Sequence, residues 1–178
     1  IVMNVASAGF VGRYLATGMP LTTKRITVDG DAVAKAQNVE VVIGTPIKDV
    51  IEFCGGYTEE AGKILYGGPM MGTAVSSDEM PILKQTNAII VFGREKAVLP
   101  AANPCIRCGR CVAACPMGLA PVEIALALSI KDADAIKELY ADLCMECGSC
   151  QYICPARIPL VQQFRTAKFA IRQQAAKK

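Results

Sequence analysis

Two stretches of this 178-residue chain, CIRCGRCVAACP at 105–116 and CMECGSCQYICP at 144–155, repeat one cysteine pattern, C-x2-C-x2-C-x3-C-P, 39 residues apart. Duplication of so specific a pattern points to two equivalent sites. Three closely spaced thiolates can wrap three irons of one cubane, because the intervening residue pairs form a tight loop whose amides point at the sulfurs. The fourth cysteine of each run points elsewhere. Pro116 and Pro155 redirect the chain just after it, and Gly109 and Gly148, each following a second cysteine, leave room for close backbone approach.

Where two 4Fe-4S clusters share runs of this spacing, the fourth cysteine of each run ligates the other cluster. The expected ligands are therefore Cys105, Cys108, Cys111 and Cys154 for the first cluster, and Cys144, Cys147, Cys150 and Cys115 for the second. Four-thiolate zinc needs only paired C-x2-C hooks and leaves the third cysteine and the Cys-Pro unexplained. Disulfides within such a string would be strained, and a total of nine cysteines leaves one over. The ninth, Cys54, falls on the apolar face of an expected helix and reads as a buried structural thiol.

The rest of the chain divides around these runs. Residues 5–18 read as a helix with Gly18 as its stop; RITV (25–28), VEVVIG (39–44), KILY (63–66) and AIIVF (88–92) read as strands. Thr45-Pro46 supplies an N-cap and a first-turn proline for a helix carrying Ile47, Val50, Ile51 and Cys54 on one face. Between the runs, Pro121 starts a helix with Val122, Ala125 and Leu126 on one side. Asp132 caps a second that carries Ile136, Leu139, Tyr140 and Leu143, and a last helix after Pro159 is marked by Leu160, Phe164, Ala167 and Ile171. The fold class is α+β, a small strand-rich domain followed by a mainly α-helical two-cluster domain.

Composition excludes several function classes. Hydrophobic residues make up 52% of the chain, so it is globular, and Glu123 interrupts the apolar run after Pro116, leaving no charge-free stretch long enough to span a membrane. A net charge of +3 is too small to argue for nucleic acid. Arg157, Arg165, Lys168, Arg172, Lys177 and Lys178 concentrate positive charge at the end, where a basic helix suits an acidic partner, an anionic membrane surface or plain solvation. GGPMMG (67–72) lacks the Lys-Ser/Thr ending and the G-x-G-x-x-G spacing of nucleotide loops and reads as a tight functional or interface loop. With no histidine and no nucleophile-plus-base pair, hydrolysis has no carrier.

GRYLATGMPLTTK (12–24), IGTPIKDVIEFCGG (43–56), YGGPMMG (66–72), PCIRCGRCVAACPMGL (104–119) and CMECGSCQYICPARIPLVQQFRTAK (144–168) together resemble the C subunit of the Rnf, or Rsx, ion-translocating electron transport complex. The resemblance implies that residues 1–20 end an upstream flavin and nucleotide module, 21–97 form a soluble-ligand-binding β-grasp domain, and 98–178 form an α-helical ferredoxin domain. It implies a translocase component that carries electrons in a ferredoxin:NAD+ oxidoreductase, with FMN and NADH held by the upstream module. Expected partners are the iron-sulfur and membrane subunits of the complex, with ferredoxin indirectly, and no nucleic acid. The expected location is peripheral, on the cytoplasmic side of the bacterial inner membrane. The competing readings are a docking or ligand-binding module with structural clusters, and a free-standing ferredoxin-like carrier.

Overall fold

The computed structural model describes residues 1–176, which lie in two compact units, Ile1–Val98 and Leu99–Lys178. The first unit opens with α1 (Val5–Thr17), closed by Gly18 in the left-handed conformation that glycine adopts without penalty; none of the helix's residues is buried. Next come β1 (Thr23–Asp29), β2 (Gln37–Val42), α2 (Ile47–Phe53), β3 (Ala61–Tyr66), β4 (Thr73–Val75), β5 (Ala88–Gly93) and the single turn α3 (Arg94–Ala97). The strands form one mixed sheet in the order β2-β1-β5-β3-β4. β1 and β5 run parallel in its middle and the other pairs are antiparallel. A hairpin, a helix across one face and a central parallel pair make this a β-grasp arrangement. Inward residues alternate along the central strands: Ile26 and Val28 on β1 and Ile89 and Val91 on β5 meet Ile47, Val50, Ile51 and Cys54 of the α2 segment. Cys54 is fully buried and accepts a 3.5 Å contact from the Gln37 amide, as a structural thiol does.

Thr45 does not cap α2. Pro46, in extended conformation, holds the cap position without a side-chain bond, and the first helical amides are satisfied at long range: Ile47 N–H donates to Met80 O at 3.0 Å and Lys48 N–H to Asp78 O at 2.9 Å. Tertiary backbone has replaced the local cap. GGPMMG forms the tip of the β3–β4 hairpin, with Tyr66 paired to Thr73 and the Met70 and Met71 side chains exposed.

In the second unit α4 (Arg110–Ala113), α5 (Pro121–Ser129), α6 (Ala133–Glu138), α7 (Ser149–Tyr152) and α8 (Leu160–Ala176) surround a core of Leu119, Ile124, Ala127, Ile136, Leu160, Phe164 and Ala167. Asp132 caps α6, its carboxylate accepting from Ala135 N–H at 2.9 Å. Two expected faces differ from the structure. The buried side of α5 is Pro121, Ile124 and Ala127, leaving Leu126 exposed, because the helix is rotated so that Val122 reaches the cysteine site instead. α6 stops at Glu138: Tyr140 takes φ +54°, a 3-10 turn follows over Ala141–Leu143, and Tyr140 and Leu143 are exposed. Among the described residues no helix is long and apolar enough to cross a membrane.

Candidate metal centre

Each cysteine run begins as an extended loop and ends in a single helical turn, α4 in the first and α7 in the second. The loop is shaped by left-handed residues at matching places: Arg107 (φ +53°) and Gly109 (φ +73°) in the first run, Glu146 (φ +57°) and Gly148 (φ +85°) in the second. The inward turn at Arg107 and Glu146 brings their amides to the preceding cysteines, so Arg107 N–H donates to Cys105 Sγ at 3.4 Å and Glu146 N–H to Cys144 Sγ at 3.3 Å. Leu119 N–H likewise donates to Cys115 Sγ at 3.4 Å. Such donors stabilise negative charge on sulfur, the state in which a cysteine binds metal. The glycines serve the left-handed backbone at the helix starts.

The repeat extends past the motif. Gly118 and Arg157, 39 residues apart, are both left-handed, and both N–H groups close a turn onto the fourth cysteine of their run, Gly118 onto Cys115 O and Arg157 onto Cys154 O, each at 3.1 Å. α5 and α8 then begin at matching positions, Pro121 and Leu160.

This near-symmetric frame lines two partly open cavities, one slightly smaller than the other. Cys144, Cys147, Cys150 and Cys115 line the smaller; Cys105, Cys108, Cys111 and Cys154 line the larger. The fourth cysteine of each run thus lies with the three of the other. The reason is helical: Cys111 and Cys115 stand four residues apart across α4, as Cys150 and Cys154 do across α7, separated by roughly 6 Å of helix rise, so one turn carries the chain from one cavity to the next. The first turns of α5 and α8 form walls common to both. Pro121 and Val161 face the smaller cavity, and their neighbours Val122 and Leu160 face the larger.

The thiol environments differ. Burial pushes the Cys150 thiol up to about 11 and raises Cys144 and Cys111, whereas the Ser149 hydroxyl, 3.4 Å from Cys147 Sγ, lowers Cys147. Beside the smaller cavity Glu146 is held below the usual carboxylate range, first by Lys168, 2.8 Å away, and also by Arg165 at 2.9 Å. These two bases therefore do not belong to a free basic face of α8; Lys177 and Lys178 lie outside the described residues.

Two sites with four thiols each, apolar walls and N–H donors aimed at sulfur fit a 4Fe-4S group. Among the described residues no three His, Cys, Asp or Glu side chains close on a point that would hold one ion; a cubane takes its thiolates spread around a cavity.

A family model described as an SLBB domain matches residues 25–74, and models described as 4Fe-4S dicluster domains match 98–167 and 73–120. The C subunit of the ion-translocating oxidoreductase complex of Rhodobacter capsulatus is 40% identical over all 178 residues, which cover 34% of that protein. The protein of the same description from Methanosarcina acetivorans is 45% identical over 174 residues, 98% of this chain and 39% of its own length. The chain belongs to this RnfC family. The C subunit of the Na(+)-translocating ferredoxin:NAD(+) oxidoreductase complex of Acetobacterium woodii is 40% identical over 125 residues, 70% of this chain and 28% of that protein. The chain spans about a third of the length of the RnfC relatives it matches.

The eight cysteines, their loops and the start of α8 are legible in the sequence. The left-handed arginines and glutamate, and the engagement of Glu146 by α8, are not. No residue preference marks a left-handed Arg or Glu, and Glu146 lies about twenty residues from its partners.

Proposed function

We propose that this chain is the stretch of an RnfC protein that conducts single electrons through two 4Fe-4S clusters, in an ion-translocating ferredoxin:NAD(+) oxidoreductase complex. The carrying observation is the exchange of fourth cysteines between two adjacent cavities. Cys105, Cys108, Cys111 and Cys154 hold one cluster and Cys144, Cys147, Cys150 and Cys115 the other. Bound there, each cluster supplies reversible one-electron chemistry. The chain's own residues keep the two sites adjacent through α4 and α7, cover them with Leu119, Ile158 and Phe164, and direct N–H groups at the sulfurs. Both sites sit in one small frame, which favours passage of an electron from one to the other over two independent structural metals.

Hydride transfer from NADH requires a two-electron acceptor such as a flavin, and none of these residues forms a dinucleotide fingerprint. FMN and NADH therefore belong to a part of the protein outside these residues, and this part is the wire leading from it. The β-grasp unit serves as scaffold. The partners are the other subunits of the complex, iron-sulfur and membrane subunits among them, with the chain peripheral on the cytoplasmic side.

Anaerobic reconstitution followed by iron and acid-labile sulfide analysis tests this reading. The expected result is about eight irons with matching sulfide, bleached by dithionite and unchanged by NADH alone. Stoichiometric zinc without sulfide, or bleaching by NADH without added flavin, would contradict it.

A further inference from the structure

The two halves of the helical unit match at every cysteine, at the left-handed residues flanking those cysteines and at the starts of α5 and α8, but they differ in how the loop between the first two cysteines is held. Glu146, inside the Cys144–Cys147 loop, binds Arg165 and Lys168 of α8, and Lys168 Nζ also donates to Cys144 O at 2.6 Å. Shifted by the repeat of 39 residues, the counterparts of Glu146, Arg165 and Lys168 are Arg107, Leu126 and Ser129. Leu126 is exposed and Ser129 bonds within its own helix, to Leu126 O at 2.7 Å, so among the described residues the first run has no such tie. Exposure follows the same division: Cys105 and Cys108 are exposed, whereas Cys144 and Cys147 are half-buried and Cys150 is buried.

Resting on the ligand sets proposed above, we propose that Glu146, Arg165 and Lys168 form a clasp peculiar to the second site. The clasp pins the Cys144–Cys147 loop to α8 and fixes the charge of Lys168 against that cluster, making the two clusters unequal in retention and in potential. These are positioning residues. A hydrogen bond to a charged group resists opening more than a neutral one, and here two cations hold one carboxylate in half-buried surroundings. Reduction adds negative charge to a cluster, so a fixed cation beside it favours the reduced state and a carboxylate opposes it.

The test uses the reconstituted chain. An iron chelator is added under anaerobic conditions, freed thiols are alkylated at intervals, and labelled cysteines are mapped by mass spectrometry. Cys105, Cys108, Cys111 and Cys154 should be labelled together and early, with Cys144, Cys147, Cys150 and Cys115 following several-fold more slowly. Equal rates, or the reverse order, would overturn the clasp. Labelling grouped run by run would instead overturn the crossed ligand sets on which the inference rests.

A second arm follows each cluster's EPR signal against applied potential. Lys168→Met should lower the midpoint of one cluster, Glu146→Gln should raise that of the same cluster, and Lys168→Arg should restore it, with the other cluster unmoved. Loosening of structure alone would move both variants in the same direction, and that result would refute the charge role.

Discussion

Arg107 and Glu146 are residues whose identity says nothing about their task. Both take positive φ between two cysteines, and both turn an amide onto the sulfur before them. Spacing alone reveals that a tight loop is required; which residue bears the left-handed backbone is decided by the thiols it has to serve. The cysteines themselves are chemically distinct. Cys147 is lowered by Ser149, while Cys150, buried among Leu119 and Phe164, is raised to about 11. A raised thiol stays protonated until pH nears its own value, and a lowered one carries more thiolate at neutral pH than an ordinary cysteine. In the iron-free chain near pH 8, iodoacetamide should therefore modify Cys147 well before Cys150, and the gap should narrow as pH rises. Peptide mapping of partly alkylated protein checks this, and equal rates at pH 8 would count against the environments described.

At the scale of elements, the sequence is most informative where a local interaction does the work. Asp132 is legible as a cap because its carboxylate reaches an amide three residues on. The start of α2 is not, because its amides are satisfied by Met80 O and Asp78 O, about thirty residues away, and no local signal reports a partner at that distance. The two starts make a paired prediction by denaturant titration. Asp132→Ala should destabilise the helical unit by ~1 kcal/mol, the usual cost of losing an N-cap. Thr45→Ala should change the β-grasp unit by less than ~0.5 kcal/mol, because the half-buried Thr45 does not cap α2. A large loss at Thr45 would restore it as the cap. α6 is shorter than its apolar pattern for a related reason: Leu139, Tyr140 and Leu143 keep helical spacing, but Tyr140 turns left-handed and the chain bends into the loop carrying Cys144. The demand of the cysteine site overrides the apolar period. The strands β1, β2, β3 and β5 are readable as short runs of β-branched and apolar residues bounded by turns, whereas β4, three residues long, carries too little pattern to register.

For the molecule as a whole, the two units carry different kinds of information. In the first unit the residues alone mark a small strand-rich α+β domain, while its β-grasp character and its role come through the RnfC resemblance. The helical unit announces its chemistry directly, because four-thiolate pairs at this spacing serve few purposes. In the proposed wiring an electron path is built by exchanging one cysteine between two repeats. The most direct measurement is low-temperature EPR of dithionite-reduced variants after anaerobic reconstitution. Cys154→Ala should leave the same residual spectrum as Cys108→Ala, that of the Cys144 site alone, although Cys154 lies in the other run. If Cys154→Ala instead reproduces the spectrum of Cys147→Ala, each run holds its own cluster and the crossed account is wrong.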